Sequence, residues 1–118
     1  MSTEELTKSE ATKNREFLCR YIEADANDKI KAYFLRNVFF DSGYVMASAS
    51  AIGKSCGVSP KTANDSIKAL RICGFVKKYQ IGVWIVNPKL LHHPNSKAYK
   101  EIMEEFVKTV DDIKEELA

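Results

Sequence analysis

Residues 48–88 read SASAIGKSCGVSPKTANDSIKALRICGFVKKYQIGVWIVNP. Residues 48–56 have the pattern of a short helix with Ala51 and Ile52 facing inward, and Gly57-Val58-Ser59 is the turn that ends it. Ser59 is a good N-cap, because its hydroxyl accepts from a backbone N–H that has no helical partner. Pro60 falls at the first helical position, where a missing N–H costs nothing. The helix it opens runs to about Cys73, with Ala63, Ile67 and Leu70 on one face, and Gly74 follows where a left-handed residue ends a helix. Residues 75–79 and 83–86 are strand-like runs around a turn containing Gly82, which predicts a hairpin, and Asn87-Pro88 ends its second strand.

Two helices on a tight turn followed by a hairpin are compatible with a winged helix-turn-helix, in which the second helix enters the DNA major groove. Ile52, Val58, Ala63, Ile67, Leu70 and Phe75 would hold the helix pair at a fixed angle, with Val58 plugging the joint and Ala63 small at the crossing. Opposite that stripe lie Lys61, Asp65 and Lys68, about 160–200° away at 100° per residue, flanked by Thr62 and Asn64. This face offers amide and hydroxyl groups to base edges and ammonium groups to phosphates, and Asp65 is suited to accept from a cytosine amine. In the hairpin, the adjacent Lys77 and Lys78 must point to opposite faces, so one reaches a phosphate while the other is solvated. Tyr79 and Gln80 sit at its tip, and Trp84 anchors the hairpin to the core. The candidate double-stranded DNA contacts are Lys54, Ser59, Lys61, Thr62, Asn64, Asp65, Lys68, Lys77, Lys78 and Gln80, while Arg71 lies nearer the buried side of its helix.

The charge distribution agrees with that face. Residues 46–89 carry seven Lys or Arg against Asp65 alone, between flanks that are net −1 over residues 1–45 and net −3 over residues 96–118. A basic segment between acidic flanks is the electrostatic footprint of a nucleic-acid face. The chain of 118 residues holds one modest core. No apolar run approaches the ~20 residues that span a bilayer, and the polar first fifteen residues lack the apolar core of a secretory signal, which predicts a cytoplasmic protein. Three cysteines, Cys19, Cys56 and Cys73, with no Cys-x-x-Cys spacing, read as reduced apolar residues.

The run Gly57-Val-Ser-Pro-Lys-Thr62, then Ile67-Lys-Ala-Leu70, then Cys73-Gly-Phe-Val76, resembles the winged helix-turn-helix signature of many bacterial regulators. Its continuation, Gly82-Val-Trp-Ile-Val-Asn-Pro-Lys-Leu90, is similar to Firmicute plasmid replication proteins of the RepL type. The resemblance covers roughly residues 29–106 and implies a DNA-binding role on a mobile element. The loop at residues 91–95 departs from it, containing Pro94 and lacking a basic, glycine-bearing stretch.

Outward from this segment, residues 1–9 are expected to be flexible, and residues 10–24 form a helix with the narrow stripe Phe17, Leu18, Tyr21 and Ile22. A central core helix is expected over residues 29–40, and Tyr44-Val45-Met46 as a first strand. The winged domain thus spans residues 10–90. In residues 96–118, Tyr99, Met103, Phe106, Val110, Ile113 and Leu117 step by 4, 3, 4, 3 and 4, a heptad seam on one long helix. The seam either covers this chain's own core or pairs with a second copy. The length of the helix favours a homodimer, which also suits a palindromic site.

Several signals carry no chemistry. Ile52-Gly-Lys-Ser55 ends like a phosphate-binding loop but Ser48 stands where that loop needs glycine. His92-His93 are adjacent and do not converge on one metal ion. Asp111-Asp112 and Glu115-Glu116 read as the solvated face of the last helix. No nucleophile, base and oxyanion site assemble, so no enzyme, cofactor or effector is expected. The reading is a mainly α winged helix-turn-helix that binds DNA sequence-specifically, as a repressor or a plasmid replication protein, with a slight lean to transcriptional control. The alternative is a winged helix that serves protein–protein interaction.

Overall fold

The computed structural model describes residues 26–116. The expected flexible start, the helix at residues 10–24 and Leu117 lie outside them. Asn27 accepts from the Lys29 N–H at 2.8 Å and donates its own N–H to the Ser66 hydroxyl at 3.0 Å. The first contact caps helix α1, Asp28–Asn37, and the second fastens its start to a later helix. Ile30, Phe34 and Val38 recur along one side of this segment and are buried. The helix expected to reach Phe40 stops at Asn37. Val38 turns extended, the Phe39 N–H donates to Tyr44 O, and a turn through Gly43 reverses the chain, leaving Phe39 and Phe40 exposed.

Strand β1, Tyr44–Met46, follows, then α2, Ala49–Cys56, and α3, Pro60–Cys73. Ser48 and Ser59 cap these helices by accepting from the N–H groups of Ala51 and Thr62, both at 3.1 Å. Gly57 and Gly74 end them at φ 67° and 79°, a region an L side chain resists. Ile52, Ala63, Ile67 and Leu70 point inward as expected, with Val58 half-buried against them, but Ala51 is exposed.

Strands β2, Val76–Gln80, and β3, Val83–Val86, form the hairpin. With β1 they make an antiparallel sheet in the order β1-β3-β2. The central strand β3 is apolar throughout because both its faces are covered. Trp84 and Val86 join the core built by α1, α2 and α3, while Ile85 packs with Ile102 and Phe106 of α4, Lys97–Lys108. A strand that alternates sides but finds a helix on each needs apolar residues at every position. The architecture is mainly α with a small three-stranded antiparallel sheet, compatible with a winged helix.

The single long helix expected over residues 96–117 is corrected. α4 ends at Lys108, Thr109 is extended, and a short helix α5, Ile113–Glu116, restarts after a turn and lies against α3. Two contacts cause the break. Lys77 Nζ donates to the carbonyls of Phe106 and Thr109 at 2.8 and 3.1 Å, satisfying the end of α4. The Asp111 carboxylate is drawn onto Arg71 and also accepts from the Ile113 N–H at 2.9 Å. The heptad seam is therefore used within the chain. Ile102, Phe106 and Ile113 are buried, Tyr99 and Met103 half-buried, and among the described residues of the expected seam only Val110 stands out, 81% exposed.

Candidate nucleic-acid interface

The outward face of α3 carries Lys61, Asn64, Asp65 and Lys68, all exposed and without a hydrogen bond or ion pair among the described residues. Its inward face is fixed by burial of Ala63, Ile67 and Leu70, so the polar groups are held at defined angles on a packed helix. Ser59 and Thr62 are also on this end of α3 but are engaged with each other. The Ser59 hydroxyl donates to Thr62 Oγ1 at 3.0 Å while accepting from the Thr62 N–H. These two build the helix start, and the side chains beyond them are the ones open to a ligand. Lys54, on the last turn of α2, is exposed on the neighbouring element.

The angle between α2 and α3 depends on a residue whose role the sequence reading missed. A Cβ on Gly53 would lie 2.9 Å from the Cβ of Ala63. The two helices cross where both side chains are minimal, and Val58 closes the joint by donating its N–H to Gly53 O at 3.0 Å. The available signal was a glycine inside the helix, across from the small Ala63.

Register sorts the two wing lysines. Lys78 pairs with Trp84 and so shares the side of the sheet that faces α3, whereas Lys77 pairs with Ile85 and faces α4. The expected opposition of the two holds, and in the free chain each of them meets a group of the fold. Lys77 Nζ lies 4.6 Å from the Phe106 ring centroid while capping α4, so this cation is committed to the fold. Lys78 Nζ lies 3.7 Å from Glu116 of α5. Trp84 anchors the wing as expected: it is buried, its indole N–H donates to Ala47 O at 2.7 Å, and it meets the Phe34 ring edge-on. Gln80 is exposed beside the turn, and Ile81 at the tip is 90% exposed. Tyr79 packs its ring on Tyr44 at 4.9 Å. Burial, then the hydrogen bond with Tyr79, pushes the Tyr44 hydroxyl up to about 12.

Between α3 and the wing lies a groove of about 410 Å³, lined among others by Asn64, Lys68, Arg71, Lys78, Trp84 and Glu116. Of the four acids read as a solvated face, Asp112 and Glu115 are exposed as expected, while Asp111 and Glu116 are corrected. Arg71 Nε and Nη2 donate to both oxygens of Asp111 at 2.7–3.1 Å, and the two side chains are 5% and 6% exposed. Arg71 Nη1 is 2.7 Å from Glu116 Oε2, and the Lys78 N–H donates to Asp111 at 2.8 Å. Burial alone would raise the Asp111 carboxyl, but the Arg71 hydrogen bonds and the Lys78 N–H outweigh it and hold the group below its ordinary value. The Arg71 contact likewise lowers Glu116. Among the described residues no three His, Cys, Asp or Glu side chains group as for a metal ion, and no helix is long and apolar enough to cross a membrane.

The family model of the Firmicute plasmid replication protein (RepL) matches residues 6–117. The chain belongs to that family. Comparisons with curated proteins and with solved structures give no match. In this RepL chain the Asn87-Pro88 pair that carried the resemblance has a structural task. Asn87 is buried and donates its side-chain amide to Gly74 O at 3.0 Å, while its own N–H donates to Phe75 O at 2.8 Å. It ties the end of β3 to the end of α3, and so fixes where the wing departs from the helix beside it. His92 also serves the fold, its ring nitrogen lying 2.6 Å from Phe40 O.

Proposed function

We propose that this RepL-family chain binds double-stranded DNA sequence-specifically and acts in plasmid replication or maintenance by binding rather than by catalysis. α3 would enter the major groove, with the hairpin beside it along the backbone. The observation that carries this reading is the row Lys61, Asn64, Asp65 and Lys68, unpartnered among the described residues, on a helix whose opposite face is locked into the core. Polar side chains on a rigid helix keep their geometry when they meet base edges, which is what direct readout requires. Family membership favours replication over transcriptional repression as the purpose of the binding.

Of the seven cations in residues 46–89, Arg71 and Lys78 face acids and Lys77 caps α4, whereas Lys54, Lys61 and Lys68 are exposed and uncommitted among the described residues. Three phosphate contacts predict that log K for duplex DNA falls with log salt at a slope of about −3 per bound chain. Titration of a labelled duplex between about 50 and 200 mM salt measures it. Absence of duplex binding at the low end, or a flat salt dependence, overturns the reading and turns attention to a protein partner.

A further inference from the structure

Two cations of the α3–wing groove, Arg71 and Lys78, are not free, and one acidic side chain holds both. Glu116 reaches across the α3–wing groove with one carboxylate oxygen 2.7 Å from Arg71 Nη1 and the other 3.7 Å from Lys78 Nζ. A carboxylate bridging a guanidinium and an ammonium offers the same single negative charge and pair of acceptor oxygens as a backbone phosphate held by the same pair. Asp111 engages Arg71 through Nε and Nη2, and Nη1 is the nitrogen that Glu116 takes. Glu116 itself is 38% exposed, so it covers that nitrogen from the solvent side, and Asn64 and Lys68 of α3 line the same groove.

We propose that Arg71 Nη1 and Lys78 Nζ form a binding site for a DNA backbone phosphate, which the Glu116 carboxylate fills in the free chain and which the duplex must take from it. The proposal rests on the DNA-binding reading above and adds to it a built-in competitor. The Arg71–Asp111 pair holds the site in shape whether Glu116 is seated or not, so exchange of one anion for another needs only α5 to swing away. α5 is four residues long, and of its described side chains Ile113 is buried while Glu115 and Glu116 are exposed.

The test compares the full chain with Glu116→Gln, Glu115→Gln and Lys78→Gln, alone and with Glu116→Gln, on a fluorescently labelled random-sequence duplex at fixed salt. Glu115 is an exposed neighbour, and its replacement makes the same change in net charge without touching the cation pair. The expected result is binding about two- to fivefold tighter for Glu116→Gln, no comparable gain for Glu115→Gln, and loss of the gain when Lys78 is also Gln. Equal gains from both glutamates, no gain from either, or a gain that survives Lys78→Gln overturns the proposal while DNA binding stands. If no protein in the set, wild type included, binds duplex, the DNA-binding reading falls and takes this one with it. A measurement on the unaltered chain guards against misfolded variants. The side-chain carboxyl carbon signal of Glu116 should shift on saturation with duplex, and a signal that stays in place counts against displacement.

Discussion

Arg71 and Asp111 are forty positions apart in sequence and meet in a contact that is bidentate and almost wholly enclosed. Enclosure makes each member costly without the other, because the remaining charge has lost its water. Asp111→Asn should lower stability by about 3 kcal/mol at neutral pH, the low end for breaking a buried pair, since Glu116 still partners Arg71. The pH dependence follows from the lowered Asp111 carboxyl. In the unfolded chain the group protonates near its ordinary value of 3.8, while in the fold it stays charged to lower pH. Its stabilisation is therefore complete above that ordinary value and is lost as pH falls through the depressed one. Urea unfolding of both proteins should show a gap that holds from about pH 7 down to about pH 4 and narrows below that. A gap that stays constant would mean that the carboxylate's charge contributes nothing.

At the scale of the element, α3 divides into a start that holds itself together and a middle that is open. Thr62 and Asn64 are two residues apart and look alike as candidate base contacts in the sequence, yet only Asn64 is exposed and unpartnered among the described residues. Asn64→Ala should cost about 1–3 kcal/mol on the preferred duplex and little on random DNA. Thr62→Ala should weaken both about equally, through the loosened helix start. Competition binding with the two duplexes separates these outcomes, and an equal loss for Asn64→Ala would assign it to backbone positioning. The cap Ser59, Pro60 at the first turn, the stop at Gly74 and the inward stripe of α3 were legible because each is decided by neighbours within a turn or two. The fates of Lys77 and Lys78 were not. Their opposition follows from strand geometry, but what each meets depends on where α4 and α5 lie, about thirty residues later in the chain. The heptad in residues 96–117 was read correctly as amphipathic and incorrectly as one helix. A seam of that spacing looks the same whether it covers a sheet or a second copy, and the Arg71–Asp111 contact that interrupts it is invisible to local pattern.

For the whole molecule, the consequence is that the sheet has a helix on each side and the second one is this chain's own. Ile85 is fully buried by Ile102 and Phe106, and Lys77 lies over the Phe106 ring while holding the end of α4. Removing the Phe106 ring should therefore destabilise the folded chain itself instead of dissociating a pair of folded chains. Phe106→Ala should cost about 3 kcal/mol, the lower part of the range for a buried phenylalanine, because the cluster is small and at the edge of the fold. That is a large share of the roughly 5–15 kcal/mol that holds a domain together, so the loss should be plain in a thermal melt. The concentration dependence decides how it is read. A fold completed within one chain melts at a temperature independent of protein concentration, whereas a fold completed by a second copy melts higher as concentration rises. The wild-type midpoint should stay the same over about a tenfold range of concentration, and Phe106→Ala should fall below it by the same amount throughout. A wild-type midpoint that climbs with concentration, together with a variant that does not, would return Phe106 to an interface between copies.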